Sequence, residues 1–151
     1  MPPNEMSVAS RSGGATSQIF TLADANRALV LVRKIVADIV VCYHQLMQIR
    51  SLRQAPHRFS DQLALDALAV PGQDLKAQAE YCVTTLTRLH RELLDVGCVL
   101  KDWRYGLVDF PALRDGRRIW LCWRLGESTV SHWHELHAGA RGRRPIDDRF
   151  A

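Results

Sequence analysis

Residues 100–139 of this chain read LKDWRYGLVDFPALRDGRRIWLCWRLGESTVSHWHELHAG, and this stretch decides the fold. It holds all four tryptophans and three of the six histidines of the chain. Apolar residues recur here with a period of two, which is typical of strands that bury one face. We predict strands over 98–102, 106–112, 117–124 and 129–135, arranged as an antiparallel meander.

The dipeptide Asp115-Gly116 predicts a two-residue hairpin turn, which fixes the register of the strands on either side. The expected pairs are Ala112 with Ile119, Phe110 with Leu121, and Val108 with Trp123. All six side chains are apolar, so their shared face should pack on the helices. On the other face Asp109 is opposite Cys122 and diagonal to Arg124, so we expect an ion pair between Asp109 and Arg124.

The register of the last strand, STVSHWHEL, has two alternatives. In the first, His132 and His134 point at the core. In the second, a bulge at Gly126 shifts the strand by one residue, so that Trp133 enters the core and both histidines join Asp109 on the other face. Burying tryptophan is favourable, whereas burying two imidazoles without partners costs desolvation free energy. We therefore favour the second register.

Two long helices are predicted before the sheet. The first begins at Thr21, where Thr21 and Asp24 resemble a capping box, and its apolar residues follow at spacings of three and four. The second runs from about Gln73 to Val96 with a heptad-type apolar seam, and Gly97 stands where a left-handed cap belongs. Two such helices joined by a modest loop pack antiparallel.

The first helix has more apolar surface than one partner helix can cover. Besides its main apolar face, it carries apolar residues on other sides, namely Val30, Leu31, Ile35, Val40, Val41 and Ile49. Such a helix must be covered on two sides, by its partner helix and by either the sheet or a second subunit. Our leading hypothesis is therefore a non-enzymatic interaction or scaffold module, which forms a homodimer or binds another protein through this helix.

The chain of 151 residues, 47% hydrophobic and 24% charged, is typical of one soluble domain. We predict a disordered tail over residues 1–17 and a single α+β domain over 18–151. Its parts are a helical pair over 21–96, a three- to four-stranded sheet over 98–135 and a basic tail over 138–151. A loop over 54–60 and a short helix over 61–69 are expected within the helical pair.

The cysteines and the hydropathy indicate a cytoplasmic protein without a membrane contact. Cys42, Cys82, Cys98 and Cys122 have no CxxC spacing and lie in apolar segments, as reduced core cysteines do. The N-terminus has no secretory signal pattern, and the charge-free apolar stretch over 39–49 is too short to cross a bilayer.

The favoured register brings polar side chains together on one face of the sheet. His132 and His134 form an H-x-H pair, which with Asp109 or His137 would supply three ligands for a divalent transition metal. A hydrogen-bonded network that pins the sheet is the alternative that we favour, since H-x-H alone is a weak signal. The second functional hypothesis is a small metal-dependent enzyme that uses Asp109, His134 and Glu135 for acid–base chemistry.

A third hypothesis rests on the basic tail. Arg141, Arg143 and Arg144 form a short cluster that phosphate or nucleic acid would attract. A solvated tail is the alternative that we favour, because the net charge of +4 is small for a nucleic-acid-binding chain.

The chain resembles the bacterial domain-of-unknown-function family 2203 from Phe20 to about Pro145. The motifs that carry the resemblance are FTLADANRALVLVR, GCVLKD, GLVDFPALRDGR, WLCWRLGE and HWHEL, with AG and GRRP after them. Together they are specific for the family. The resemblance implies a helical hairpin followed by a small sheet, in agreement with the fold argued above, and it implies no known activity.

The family pattern also ranks the candidate site residues. The chain matches the pattern at Asp109, Arg124, Glu127, Trp133, His134, Glu135 and Gly139. His132 and His137 fall where the pattern more often has an aromatic and an acidic residue. The resemblance therefore favours Asp109, His134 and Glu135 over a three-histidine site, and it implies a polar network of Asp109, Arg124, Glu127 and His134.

Overall fold

The computed structural model describes residues 18–54 and 74–150. Within these ranges the helices are α1 (Leu22–Gln54) and α2 (Leu75–Val96), and the strands are β1 (Val99–Asp102), β2 (Leu107–Arg114), β3 (Arg117–Arg124), β4 (His132–Glu135) and β5 (Arg144–Pro145). The strands form one antiparallel sheet in the order β1-β2-β3-β4-β5. The predicted α+β class is confirmed.

Two details of the prediction change. The sheet has five strands in the described ranges rather than three or four, because part of the expected basic tail pairs with β4 as β5. Helix α1 continues through Gln54, where a loop was expected. The predicted disordered tail over 1–17, the short helix over 61–69 and the rest of the predicted loop lie outside the described residues.

The caps of both helices follow from the sequence. The backbone N–H of Thr21 donates to Asp24 Oδ2, and that of Asp24 donates to Thr21 Oγ1, both at 3.1 Å, so the capping box is confirmed. Asp74 caps α2 by accepting from the Ala77 N–H, and Gly97 ends it with a φ of 103°. Neither described helix is long and apolar enough to cross a membrane.

The helices run antiparallel, as predicted for two long helices joined by a modest loop. Arg53 and Lys76 line one cleft near the end of α1, while Tyr43 and His90 line a groove farther along both helices. The buried apolar seam of α2 consists of Ala79, Cys82, Leu86, Leu89 and Leu93, which have the heptad-type spacing that was predicted. This hairpin covers one face of the sheet, where Phe110, Leu121 and Trp123 lie in a continuous core with α1 and α2.

The pairing of β2 with β3 agrees with the predicted register at every pair named above, including Asp109 with Cys122. Asp115 and Gly116 have φ angles of 51° and 75°, as a two-residue type I′ turn requires. The register of β4 is the favoured one, because Trp133 pairs with Leu121 and is buried. The one-residue shift of the register arises in the loop over 125–131 and not in a bulge within the strands. Gly126 in this loop has a φ of 102°.

The surplus apolar surface of α1 is partly covered within the chain. Ile35 and Ile49 are buried, and Val40 packs against the core. By contrast, Val30, Leu31 and Val41 are 70%, 52% and 68% exposed. The partner helix and the sheet together therefore cover two sides of α1 and leave a third side open.

Gly106 allows the closest approach between α1 and the β1–β2 connection. A Cβ atom at Gly106 would lie 2.6 Å from Val36 Cγ1 and 2.9 Å from Leu125 Cβ, and its φ is 69°. Gly116 has a similar φ of 75°, but a Cβ atom there would meet nothing within 4 Å. The two glycines thus share a backbone conformation and differ in the space around them.

We expect Gly106→Ala to lower the free energy of unfolding by about 3 kcal/mol, because it combines left-handed backbone strain with overpacking. Gly116→Ala should lower the free energy of unfolding by only about 1 kcal/mol, because it adds backbone strain without overpacking. Urea denaturation of both variants measures the difference. Equal losses would mean that α1 does not approach Gly106 this closely.

Candidate functional site

Three side chains meet on the sheet face that points away from the helices. Asp109 of β2, Cys122 of β3 and His134 of β4 are 1%, 0% and 2% exposed. One ligand-type atom of each lies within 4.8 Å of those of the other two. We call these residues the buried trio. Asp109 and His134 lie on the two strands that flank β3, and their side chains meet over β3 beside Cys122.

Hydrogen bonds fix the imidazole of the buried trio. His134 Nε2 lies 2.9 Å from Asp109 Oδ2, and His134 Nδ1 lies 2.8 Å from the carbonyl oxygen of Glu135. A carbonyl oxygen only accepts, so Nδ1 carries a hydrogen and donates it to Glu135. The bond between Nε2 and Oδ2 then holds a single proton. The other carboxylate oxygen, Asp109 Oδ1, is buried without a hydrogen-bond partner.

Burial controls the ionisation of the trio. Desolvation raises the pKa of Asp109, against the opposing charge of His134. Desolvation also raises the pKa of Cys122 to about 12, with a further contribution from the negative charge of Asp109. Cys122 is therefore a protonated thiol at neutral pH, and it lacks the thiolate character and the access that a nucleophile needs.

A second polar group ties the β3–β4 loop to the C-terminal segment. Both carboxylate oxygens of Glu127 accept from Arg143 Nη2, at 2.6 and 2.8 Å. Glu127 Oε2 also accepts from the backbone N–H of Arg124 at 3.0 Å, and the Glu127 carbonyl accepts from Trp123 Nε1. Partial burial raises the pKa of Glu127, but the bonds from Arg143 and Arg124 outweigh it and hold the pKa below its usual value.

The expected ion pair between Asp109 and Arg124 is not formed. Asp109 bonds to His134 instead, while the Arg124 side chain is exposed and only its backbone reaches Glu127. The set that sequence reasoning placed in one network is thus divided. Asp109 and His134 form one pair, and Glu127 with Arg143 forms another.

The other predicted ligands and catalytic groups do not belong to the group of ligand atoms that lie within 4.8 Å of one another. The Glu135 side chain is exposed. It lies two residues from Trp133 and therefore on the core-facing side of β4, away from the trio. Only the backbone carbonyl of Glu135 contacts His134. His132 pairs with Cys122 on the same face of the sheet, but its Nδ1 lies 3.0 Å from Ser131 Oγ. His137 is exposed beyond the strand. The residue that sequence reasoning missed is Cys122. The predicted register already placed it opposite Asp109, but it was treated as a plain core cysteine.

The predicted basic cluster is also divided. Arg143 is held by Glu127, and the Arg144 guanidinium lies 5.3 Å from the ring centroid of Trp133. Arg141 remains exposed. Two of the three arginines therefore stabilise the fold of the C-terminal segment.

An open groove runs between α1 and α2 beside the edge of the sheet. Its volume is about 330 Å³, and its lining is Tyr43, Leu46, Met47, Arg50, Val83, Leu86, Thr87, His90 and Trp103. We call it the hairpin groove. The ring of Trp103 lies 6.3 Å from that of Tyr43 and 5.1 Å from that of His90. An aromatic cluster thus stands where the sheet stops covering the hairpin.

The hairpin groove continues the face of α1 that packs on the β1–β2 connection. Val36 faces Gly106, and Tyr43 is seven residues farther along the same side of the helix. Met47 follows at the next turn and also lines the groove. One apolar face of the hairpin is therefore covered by the sheet along part of its length and left open beyond it.

Comparison with known proteins identifies the family. Residues 18–146 match the family of uncharacterised conserved proteins DUF2203. The chain belongs to the DUF2203 family. The match extends from the residues before α1 to the residue after β5, so this DUF2203 domain includes the buried trio, Glu127 and the hairpin groove. No curated protein and no solved structure matches the chain.

In this DUF2203 protein we expect Glu127→Gln to lower the free energy of unfolding at neutral pH by about 1.5 kcal/mol. The folded-state pKa of Glu127 lies below its usual 4.5, so ionised Glu127 stabilises the fold above that pH. This contribution is lost as the pH falls through the folded-state pKa. Chemical denaturation over an acid pH series measures it.

Glu92→Gln is the matched control, because Glu92 pairs with Arg88 at an exposed position of α2. Its loss should be only about 0.3–0.5 kcal/mol. A Glu127 variant whose deficit equals that of the control, or stays constant as the pH falls, would contradict the structural role of Glu127.

Proposed function

We propose that this protein is a non-enzymatic module that self-associates through its helices, with the hairpin grooves of two copies packed against each other. The observation that supports the proposal is the groove itself. It is open and apolar, and it is lined by Trp103, Tyr43, Met47 and Arg50. Aromatic residues, methionine and arginine are the types enriched in the buried centres of protein interfaces.

The spacing along both helices favours another pair of helices as the occupant. On α1 the face that packs under the β1–β2 connection continues into the groove with the spacing 4, 3, 4, 3, from buried Val36 and half-buried Val40 to the lining residues Tyr43, Met47 and Arg50. On α2 Val83, Thr87 and His90 line the groove and Leu94 follows them, with the spacing 4, 3, 4. Such seams on two antiparallel helices are typical of one half of a four-helix bundle.

A second copy of the chain supplies the missing half. Two identical hairpins related by a twofold axis present the same surface to each other, which is the commonest arrangement in homo-oligomers. In the single chain the apolar side chains of Val83 and Leu94 are 43% and 48% exposed. Pairing would remove this surface from water, which is favourable.

We expect wild-type protein to sediment with twice the mass of the chain at micromolar concentration. The double variant Met47→Glu/Val83→Glu should be monomeric, because it places charges in the apolar groove of both copies. Sedimentation equilibrium measures both masses, and circular dichroism checks that the variant is folded.

Val41→Glu is the control for added charge. Val41 is exposed on α1 but lies about 120° around the helix axis from Met47, outside the groove. It should leave the dimer intact. A monomeric wild type would overturn the proposal, and a dimer that only Val41→Glu dissociates would move the interface to the other side of α1.

The two other hypotheses have less support. A metal-dependent enzyme would need a substrate to reach Asp109 and His134, which are buried, and Glu135 lies on the other side of the strand. A nucleic-acid module would need the tail arginines, of which Arg143 is paired with Glu127. We also propose a cytoplasmic location, because the four cysteines are free and buried, as in a reducing compartment.

A further inference from the structure

We propose that Asp109, Cys122 and His134 bind one divalent transition metal ion, with zinc as the ion that fits best. The site goes beyond the proposed self-association and lies on the opposite face of the sheet from the helices. A carboxylate oxygen, a thiolate sulfur and an imidazole nitrogen together form a mixed donor set that zinc accepts, whereas magnesium and calcium prefer oxygen alone.

The three donor atoms are close enough to share one ion. They lie within 4.8 Å of one another. Around a tetrahedral zinc ion, with bonds of about 2.0–2.3 Å, donor atoms stand about 3.5 Å apart. Small side-chain rotations therefore suffice, and they would open the bond between His134 Nε2 and Asp109 Oδ2. Three protein ligands leave the fourth position for a water molecule.

The second contact of His134 is the one that a metal-binding histidine needs. Its Nδ1–H donates to the carbonyl oxygen of Glu135, which fixes the tautomer and turns Nε2 toward Asp109 and Cys122. Histidine ligands almost always donate their other ring N–H to such an acceptor. A ring held in this way keeps the lone pair of Nε2 available to an ion.

The surroundings of Asp109 give an independent indication of a bound metal ion. Its Oδ1 atom is buried and has no hydrogen-bond partner, although buried carboxylate oxygens are normally satisfied. The donors that act on the Asp109 carboxylate are the Cys122 thiol and the His134 imidazole, which are the two other ligands of the proposed ion. The hydrogen-bonded pair with His134 alone does not account for this atom.

The charge of the buried site balances before and after binding. Without metal, the site holds one proton on the Cys122 thiol and one between Asp109 and His134, and its net charge is zero. With a divalent ion, both protons leave to solvent, and two anionic ligands neutralise the ion. The nearby cations are Lys101, which acts on Asp109, and Arg143, which acts on Cys122.

The test is to unfold the protein in guanidinium with a chelator, remove the chelator, and refold the full chain with cobalt(II) or zinc(II). Refolding is needed because the site is closed to solvent. We expect one ion per chain and, with cobalt, the near-ultraviolet charge-transfer absorption of a thiolate ligand. Indicator dye should record protons released on binding, because the ion displaces the thiol proton and the proton between Asp109 and His134.

Matched variants assign the ligands. Cys122→Ser should abolish the charge-transfer absorption. Cys98→Ser should retain it, because Cys98 is also a buried free thiol but bonds to the Leu93 carbonyl outside the trio. Asp109→Asn keeps the side-chain shape and should weaken binding by at least about 10-fold; it decides the question if the Cys122 variant does not fold.

Two results would overturn the proposal. One is wild-type protein that refolds with less than a stoichiometric amount of tightly bound zinc or cobalt. The other is a charge-transfer absorption that persists in Cys122→Ser. Both measurements are independent of oligomeric state, so a monomeric protein with bound metal would refute the proposed self-association and support the metal site.

Discussion

Burial of the Trp133 indole is the constraint on which the second half of the structure depends. Side chains on a strand alternate between faces, so placing Trp133 against the helical core sends His132 and His134 to the other face. His134 then meets Asp109 across Cys122. The same indole contacts Arg144, and its ring lies 5.8 Å from that of Phe150. One apolar side chain therefore sets the strand register, the polar cluster and the packing of the C-terminal segment.

The buried trio is an unusual use of a sheet face. Most sheets with helices on one side leave the other side to solvent, with polar residues that need no fixed partners. Here the C-terminal segment returns to the sheet as β5, and Arg143 binds Glu127 at the β3–β4 loop. The polar centre of the face is consequently closed, and its groups must satisfy one another or an ion. This closure keeps solvent away from the three side chains of the trio.

Local rules predicted much of the fold. Asp115-Gly116 fixed the hairpin register, because a two-residue turn leaves no freedom in the pairing. Thr21 and Asp24 marked the start of α1 through side-chain bonds that span three residues. The sheet face on which Trp133 lies was predicted by comparing the free energy of burying one indole with that of burying two imidazoles. Each of these inferences depends on neighbours in the chain or on a single strand pair.

The parts that could not be predicted depend on distant segments. Strand β5 has two residues, too few for a periodic pattern, and the bond between Arg143 and Glu127 requires the path of the chain after β4. Cys122 was within reach of the sequence argument, since the register placed it beside Asp109. It was overlooked because cysteine in an apolar strand is usually core. The hairpin groove exists because the sheet covers only part of the length of the helices. The spacing of apolar residues in the sequence does not predict how far the sheet extends.

Trp133 in the core places His134, closed to water, beside Asp109. The most direct measurement is a long-range 1H–15N correlation spectrum of the histidine side chains, recorded with hydrogen exchange. We expect His134 to carry its hydrogen on Nδ1 and this N–H to exchange slowly with solvent. An His134 ring with an unprotonated Nδ1, or one whose N–H exchanges as fast as that of exposed His137, would contradict the register and the site built on it.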